Sequence, residues 1–127
     1  MKIRFLLILL AAVLLFGGAV VAQGGKQQSK AEQLEKLVAG QDGEYILVDV
    51  RTAGEYNGGY IPTAINIPHT VIGNNLPTQD RSTQIVLYCR SGIRSNNARQ
   101  TLEKLGFTNI LDFGGIGSWQ GKLDKPE

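Results

Sequence analysis

Strand-like and helix-patterned segments alternate along this 127-residue chain, which places it among α/β proteins with a mostly parallel central sheet. Two further observations point the same way. The runs Tyr45–Val50 and Gln84–Tyr88 are apolar almost throughout, as strands buried on both faces of a parallel sheet must be. The second of them leads directly into a polar, glycine-containing loop and then a helical pattern, the order in which parallel sheets build sites at the carboxyl ends of their strands.

The N-terminus is a separate unit. Lys2 and Arg4 precede the apolar run Phe5–Phe16, a glycine pair follows at Gly17-Gly18, and small residues at Val20 and Ala22 stand before polar Gln23. A basic start, an apolar centre and small cleavage positions define a secretory signal over residues 1–22, cut after Ala22. The same residues allow one alternative: Phe5–Ala22 carries no charge and is just long enough to stay as a membrane anchor. Both readings export the remainder, with the bacterial periplasm as the expected compartment. Residues 23–28 read as a Gly/Gln/Lys linker, and 29–127 as a single folded domain.

Without Lys2 and Arg4, eleven basic residues face eleven acidic ones. A neutral domain of this kind gives no basic surface for nucleic acid. Its single cysteine allows no internal disulfide, so packing must supply the stability.

Within the domain, Ser29 and Glu32 form a capping-box pattern that starts a helix, with Leu34, Leu37 and Val38 on its apolar face and Gly40 at its stop. The strand Tyr45–Val50 ends in Asp49-Val50-Arg51, followed by Glu55-Tyr56 and a Gly58-Gly59 turn. Asp49, Arg51 and Glu55 are expected to tie down loops through paired hydrogen bonds, not to act as acid and base. From His69 to Ser82 the chain is loop-like, with one turn of helix around Val71, Ile72 and Leu76. Beyond the cysteine loop, Ala98, Leu102 and Leu105 share one face of a helix that runs from Ser95 to a stop at Gly106. Thr108–Phe113 is the last strand, Trp119 a core or capping residue, and the charged tail Gly121–Glu127 is expected to fray.

The chemistry concentrates at Cys89-Arg90-Ser91-Gly92-Ile93-Arg94-Ser95. The cysteine stands at a strand exit, over the start of a helix whose unpaired N–H groups favour an anion. The thiol is therefore expected to ionise below the ordinary cysteine range, helped by Arg90 and Arg94 where their guanidinium groups turn inward. Gly92 is expected to take a positive φ so that the loop N–H groups can converge. A buried structural cysteine would not be followed at once by so polar a segment.

This stretch resembles the active-site loop of the rhodanese sulfurtransferases, whose Cys-Arg-Ser-Gly-x-Arg-Ser pattern it matches from Cys89 to Ser95. The stretch Asp49 to Pro68 resembles the family as well, through Asp49, Arg51, Glu55, Tyr56, Gly59, Ile61, Ala64, Asn66, Ile67 and Pro68, and so does the Gly114-Gly115 to Trp119 region. Tyr60 and Thr63 depart, standing where the family commonly has histidine and glycine. The resemblance implies a rhodanese-like three-layer sandwich, its mostly parallel sheet flanked by helices. It also implies sulfur transfer through a persulfide on Cys89, from thiosulfate or a similar donor to cyanide or a thiol, with no metal or organic cofactor.

In that reading Arg90, pointing outward, attracts the anionic donor, Arg94 braces the loop and adds positive potential, and the N–H groups from Arg90 to Ser95 hold the charged sulfur. Phosphatases that share the fold space cysteine and arginine one residue wider, which argues against phosphate chemistry here. Partners would be a small-molecule donor and acceptor, with a protein thiol as a further acceptor and a membrane only if the N-terminal segment stays uncut. Two other readings stand beside it: a persulfide carrier that serves a partner protein, and a hydrolase in which His69 is the base for Cys89.

Overall fold

The computed structural model describes residues 26–127. The expected signal or anchor segment therefore lies outside the described residues, as does the first half of the linker. Helix α1 (Lys30–Val38) starts at Ser29, whose Oγ accepts the Glu32 N–H at 3.2 Å while the Glu32 carboxylate accepts the Ser29 N–H at 2.9 Å. It buries Leu34 and Leu37 and ends before Gly40, which sits at φ 74°. Both ends fall where the capping residues put them.

Four strands form one parallel sheet: β1 (Ile46–Asp49), β2 (Ile65–Asn66), β3 (Ile85–Cys89) and β4 (Ile110–Gly115), in the spatial order β2-β1-β3-β4. Two short elements were not apparent from the residue pattern. One is β2, only two residues long; the other is helix α2 (Ala53–Asn57), capped by a Thr52/Glu55 capping box. Helix α3 (Ile93–Lys104) connects β3 to β4. The segment around Val71 and Ile72 is a series of hydrogen-bonded turns without a helix, and Ile72 still reaches the core.

Alternation along the central strands fills both faces, giving three layers. On one face Val48, Ile85, Leu87 and Cys89 pack with Ala98 and Leu102 of α3. On the other, Leu47, Val86 and Tyr88 pack with Leu34 and Leu37 of α1. Burying a large aliphatic side chain contributes about 1.5–3 kcal/mol, so these two clusters hold the helices to the sheet. Leu105, expected on the core face of α3, is instead its exposed C-cap.

The chain leaves β1 toward β2 on one side and returns through β3 and β4 on the other. The strand order thus reverses between β1 and β3, where α/β sheets open a crevice at the strands' carboxyl ends. Asp49 and Cys89 end those two strands.

Behind the crevice lies a buried ion pair. Arg51 donates Nε and Nη2 to the Asp49 carboxylate at 2.6–3.0 Å and Nη2 to the Gly59 carbonyl at 2.7 Å. The Tyr88 hydroxyl accepts the Ile61 N–H at 3.1 Å, and burial pushes its phenol up from the ordinary value. Together these bonds fix the loop after α2, as the paired charges suggested.

Thr63 holds a left-handed φ of 75° where the family commonly has glycine. That conformation costs a side-chain-bearing residue about 1–2 kcal/mol. A 2.8 Å hydrogen bond between the Thr63 and Tyr45 hydroxyls offsets part of it. Tyr60, the other departure, stacks on Tyr56 with ring centroids 4.2 Å apart. The tail is not frayed through its first half: Tyr60 and Asp124 exchange both backbone hydrogen bonds, and the Trp119 indole donates to the Lys122 carbonyl at 3.2 Å.

Candidate active site

Cys89 is the last residue of β3 and is fully buried. The turn that follows is tighter than the sequence suggests. Only Arg90, Ser91 and Gly92 separate the strand from α3, whose first turn is Ile93, Arg94 and Ser95. The reason is Gly92: at φ 101° it is the N-cap of α3 and reverses the chain within three residues.

The thiol accordingly faces both the loop and the first helical turn, whose N–H groups have no partner inside the helix. The Gly92 N–H donates to Cys89 Sγ at 3.0 Å. Burial pushes the thiol up, but the Ser95 N–H, the Ser95 hydroxyl and the N–H groups of Gly92 and Ser91 outweigh it. The net shift is downward. Ser95 is itself fully buried, and its single hydroxyl proton, when it does not serve the sulfur, donates to the Gly92 carbonyl at 3.1 Å and closes the turn on itself.

The two arginines, whose inward turn the sequence left open, are placed differently from each other. Arg90 is exposed, without a hydrogen bond or ion pair among the described residues. Arg94 reaches across to α2 and donates Nη1 and Nη2 to the two oxygens of Glu55 at 2.7 and 3.0 Å. The hydrogen bonds from Arg94 hold the Glu55 carboxyl far down, at about 2. Backbone and hydroxyl donors, more than guanidinium charge, therefore stabilise the thiolate. The Glu55–Arg94 pair went unseen because its members lie 39 residues apart; the Thr52–Glu55 capping pattern was the one local signal that Glu55 begins a helix.

A second contribution that the sequence did not reveal comes from β4. A bulge opposite Leu87 and Tyr88 lets Gly114 take φ 92° and brings Gly115 alongside Cys89. A Cβ on Gly115 would stand 2.8 Å from the Arg90 carbonyl oxygen, so the cysteine loop passes this position only because it is glycine. We predict that Gly115→Ala leaves the fold intact and lowers turnover by about 10- to 100-fold, since small displacements of reacting groups cost that much. Steady-state rates beside a circular-dichroism melt check this.

His69 lies in the loop after β2, its N–H bonded to the Val50 carbonyl at 3.0 Å and its ring without a hydrogen bond among the described residues. The donors that meet Cys89 are those of its own loop. Among the described residues there is also no group of three or more His, Cys, Asp or Glu side chains placed to hold a metal ion.

The chain is similar in sequence and fold to known proteins. YtwF of Bacillus subtilis, a sulfurtransferase candidate by name, is 37% identical over 102 residues, covering 80% of this chain and 96% of that one. A sulfurtransferase of Allochromatium vinosum is 36% identical over 77 residues, 60% of this chain and 72% of its own. The crystal structure of a rhodanese-like domain protein from Staphylococcus aureus superposes with a TM-score of 0.66 at 31% identity, covering 77% of this chain and 95% of that chain. The rhodanese-like domain family matches residues 30–122, from the start of α1 past the Trp119 turn, and the chain belongs to that family.

Proposed function

We propose that the protein is a sulfurtransferase that moves sulfane sulfur from thiosulfate, or a similar anionic donor, through a persulfide on Cys89 to cyanide or a thiol. The observation that carries this reading is a Cys89 thiol at the carboxyl end of β3 that accepts the Gly92 N–H at 3.0 Å, with the N–H groups of Ser91 and Ser95 also drawing its pKa down. Such a ring of donors holds one negative sulfur without needing a base.

In the first half-reaction the Cys89 thiolate attacks the outer sulfur of thiosulfate. The sulfur–sulfur bond of the donor breaks, and its electron pair leaves with sulfite. In the second, the acceptor thiolate or cyanide attacks the outer sulfur of the persulfide. That bond breaks and returns the electron pair to Cys89 as thiolate. The N–H groups from Arg90 to Ser95 hold the charged sulfur, exposed Arg90 draws the donor in, and Ile93 and Ser91 line the loop. Residues 1–22 serve export, to the periplasm in a bacterium, as a cleaved signal or as an anchor; residues 29–127 are the working domain.

Thiocyanate formation from thiosulfate and cyanide by residues 23–127 tests the proposal. Steady turnover is the expected result; its absence, together with no sulfur gained on Cys89, would overturn it. The complete burial of Cys89 favours one second reading, a persulfide carrier that releases its sulfur readily only to a partner protein. That reading predicts full loading by thiosulfate with slow release to cyanide. The hydrolase reading has no support in the bonding of His69, and we predict that His69→Ala changes the thiocyanate rate by less than about two-fold. A rate lost in that variant would restore His69 as the base.

A further inference from the structure

We infer that Tyr60 and a C-terminal strap, residues 119–124, are positioning elements for the reaction: they set α2 in place, and α2 holds the first turn of α3 against the Cys89 thiol. The inference rests on the reading of Cys89 as the reacting thiol. Helix α2 has five residues and buries none of them fully, so no core face fixes where it lies. Single contacts place it instead. The Thr52/Glu55 capping box orders its start. The Tyr56 hydroxyl donates to the Ala64 carbonyl at 2.8 Å, and the Tyr56 ring stacks on Tyr60 with the planes 8° apart.

Tyr60 is in turn held by the tail. Tyr60 and Asp124 exchange backbone hydrogen bonds at 2.9 and 2.8 Å, and Leu123 lies over Gly59, its Cδ1 3.4 Å from where a Cβ would stand. The other end of the strap is Trp119, which follows the 3-10 turn Ile116–Ser118 after β4. Its indole donates to the Lys122 carbonyl at 3.2 Å. A Cβ on Gly121 would stand 2.6 Å from that ring, so the chain folds back over the indole only with glycine there. The strap thus runs from β4, whose Gly115 packs on the Arg90 carbonyl, to Tyr60 beside α2, which carries the Glu55 that holds Arg94. It joins the two walls between which the cysteine loop lies. The family match ends at residue 122, short of the Asp124 bridge.

Arg94 is the link to the sulfur. Both of its terminal nitrogens pair with Glu55, which requires the carboxylate and guanidinium planes to align. The next residue, Ser95, presents its N–H and hydroxyl to Cys89. A shift of α2 breaks the alignment and loosens the turn that presents Ser95, and a thiolate with weaker donors forms at higher pH. A second route would run from Gly59 through Arg51 to Asp49. The two routes are separable, because only the first needs Arg94.

Alkylation of Cys89, the chain's single cysteine, by iodoacetamide across a pH series tests this. Tyr60→Ala removes the stack, and Asp124→Pro deletes the N–H of the 2.8 Å bond. Tyr60→Phe keeps the ring and Asp124→Ala keeps the N–H. Each is made in the wild type and in Arg94→Gln and checked for folding by circular dichroism. Tyr60→Ala is expected to raise the alkylation midpoint by about half a pH unit, and Asp124→Pro to raise it by less. Tyr60→Phe and Asp124→Ala stay at the wild-type midpoint. In Arg94→Gln neither disruptive change moves the midpoint further, since coupled residues are not additive. The inference is overturned if either disruptive change leaves the wild-type midpoint unmoved, or shifts it as far without Arg94 as with it. Were Tyr60→Ala to fail to fold, Asp124→Pro in the two backgrounds would decide the same question. The mass gained by wild-type Cys89 from thiosulfate, measured in parallel, tests the persulfide reading separately, because alkylation needs no sulfur donor.

Discussion

Cys89→Ala is expected to reduce thiocyanate formation to background, a loss of at least about 1,000-fold, with the melting curve little changed. Serine at the same position should do no better, because a hydroxyl cannot form the persulfide. The wild-type rate of the donor half-reaction should depend on pH with a defined sign. The thiolate reacts, and its pKa lies below the ordinary cysteine value. The rate therefore rises as pH climbs through that lowered pKa and is flat above it. Removing the Ser95 hydroxyl, one of the groups that lower it, should move the rising limb to higher pH. Stopped-flow sulfite release across the pH range checks both statements. A mutant without Cys89 that still turns over would remove this residue from the chemistry.

The largest expected loss of stability lies on the other face of the sheet. Asp49→Ala leaves the Arg51 guanidinium buried with only the Gly59 carbonyl as an acceptor. An uncompensated buried charge of this kind costs about 3–5 kcal/mol, a large part of the 5–15 kcal/mol that holds a typical domain together. For about 100 residues, a melting point lower by at least about 12 °C follows. Replacing both members, Asp49→Leu with Arg51→Met, should cost less than the single change, because no charge is then stranded. Thermal melts of the two variants provide the comparison. A single variant that melts near wild type would mean that water reaches Arg51.

The features legible in the sequence are those set by neighbouring residues. The α1 capping box, the two buried strands, the positive φ of Gly92 and the placement of Cys89 at a strand exit all follow from local pattern. The start of α3 did not, because Ile93 and Arg94 carry no apolar periodicity. Their helical state comes from the sharp turn at Gly92. The two-residue strand β2 exists only because β1 offers it a partner, through the Val48–Ile65 and Asp49–Asn66 pairs. The tail is held by Tyr60 and the site arginine by Glu55, both across long separations that no local pattern encodes. At Thr63 the sequence showed a departure from the family without its consequence. The backbone keeps the left-handed turn and accepts the strain.

The most direct test of the persulfide on Cys89 is the intact mass of residues 23–127 after incubation with thiosulfate and removal of the excess. A gain of one sulfur atom that maps to the peptide containing Cys89, and that cyanide removes as thiocyanate, is the predicted result. An unchanged mass, with the thiol still free to alkylate, would contradict it.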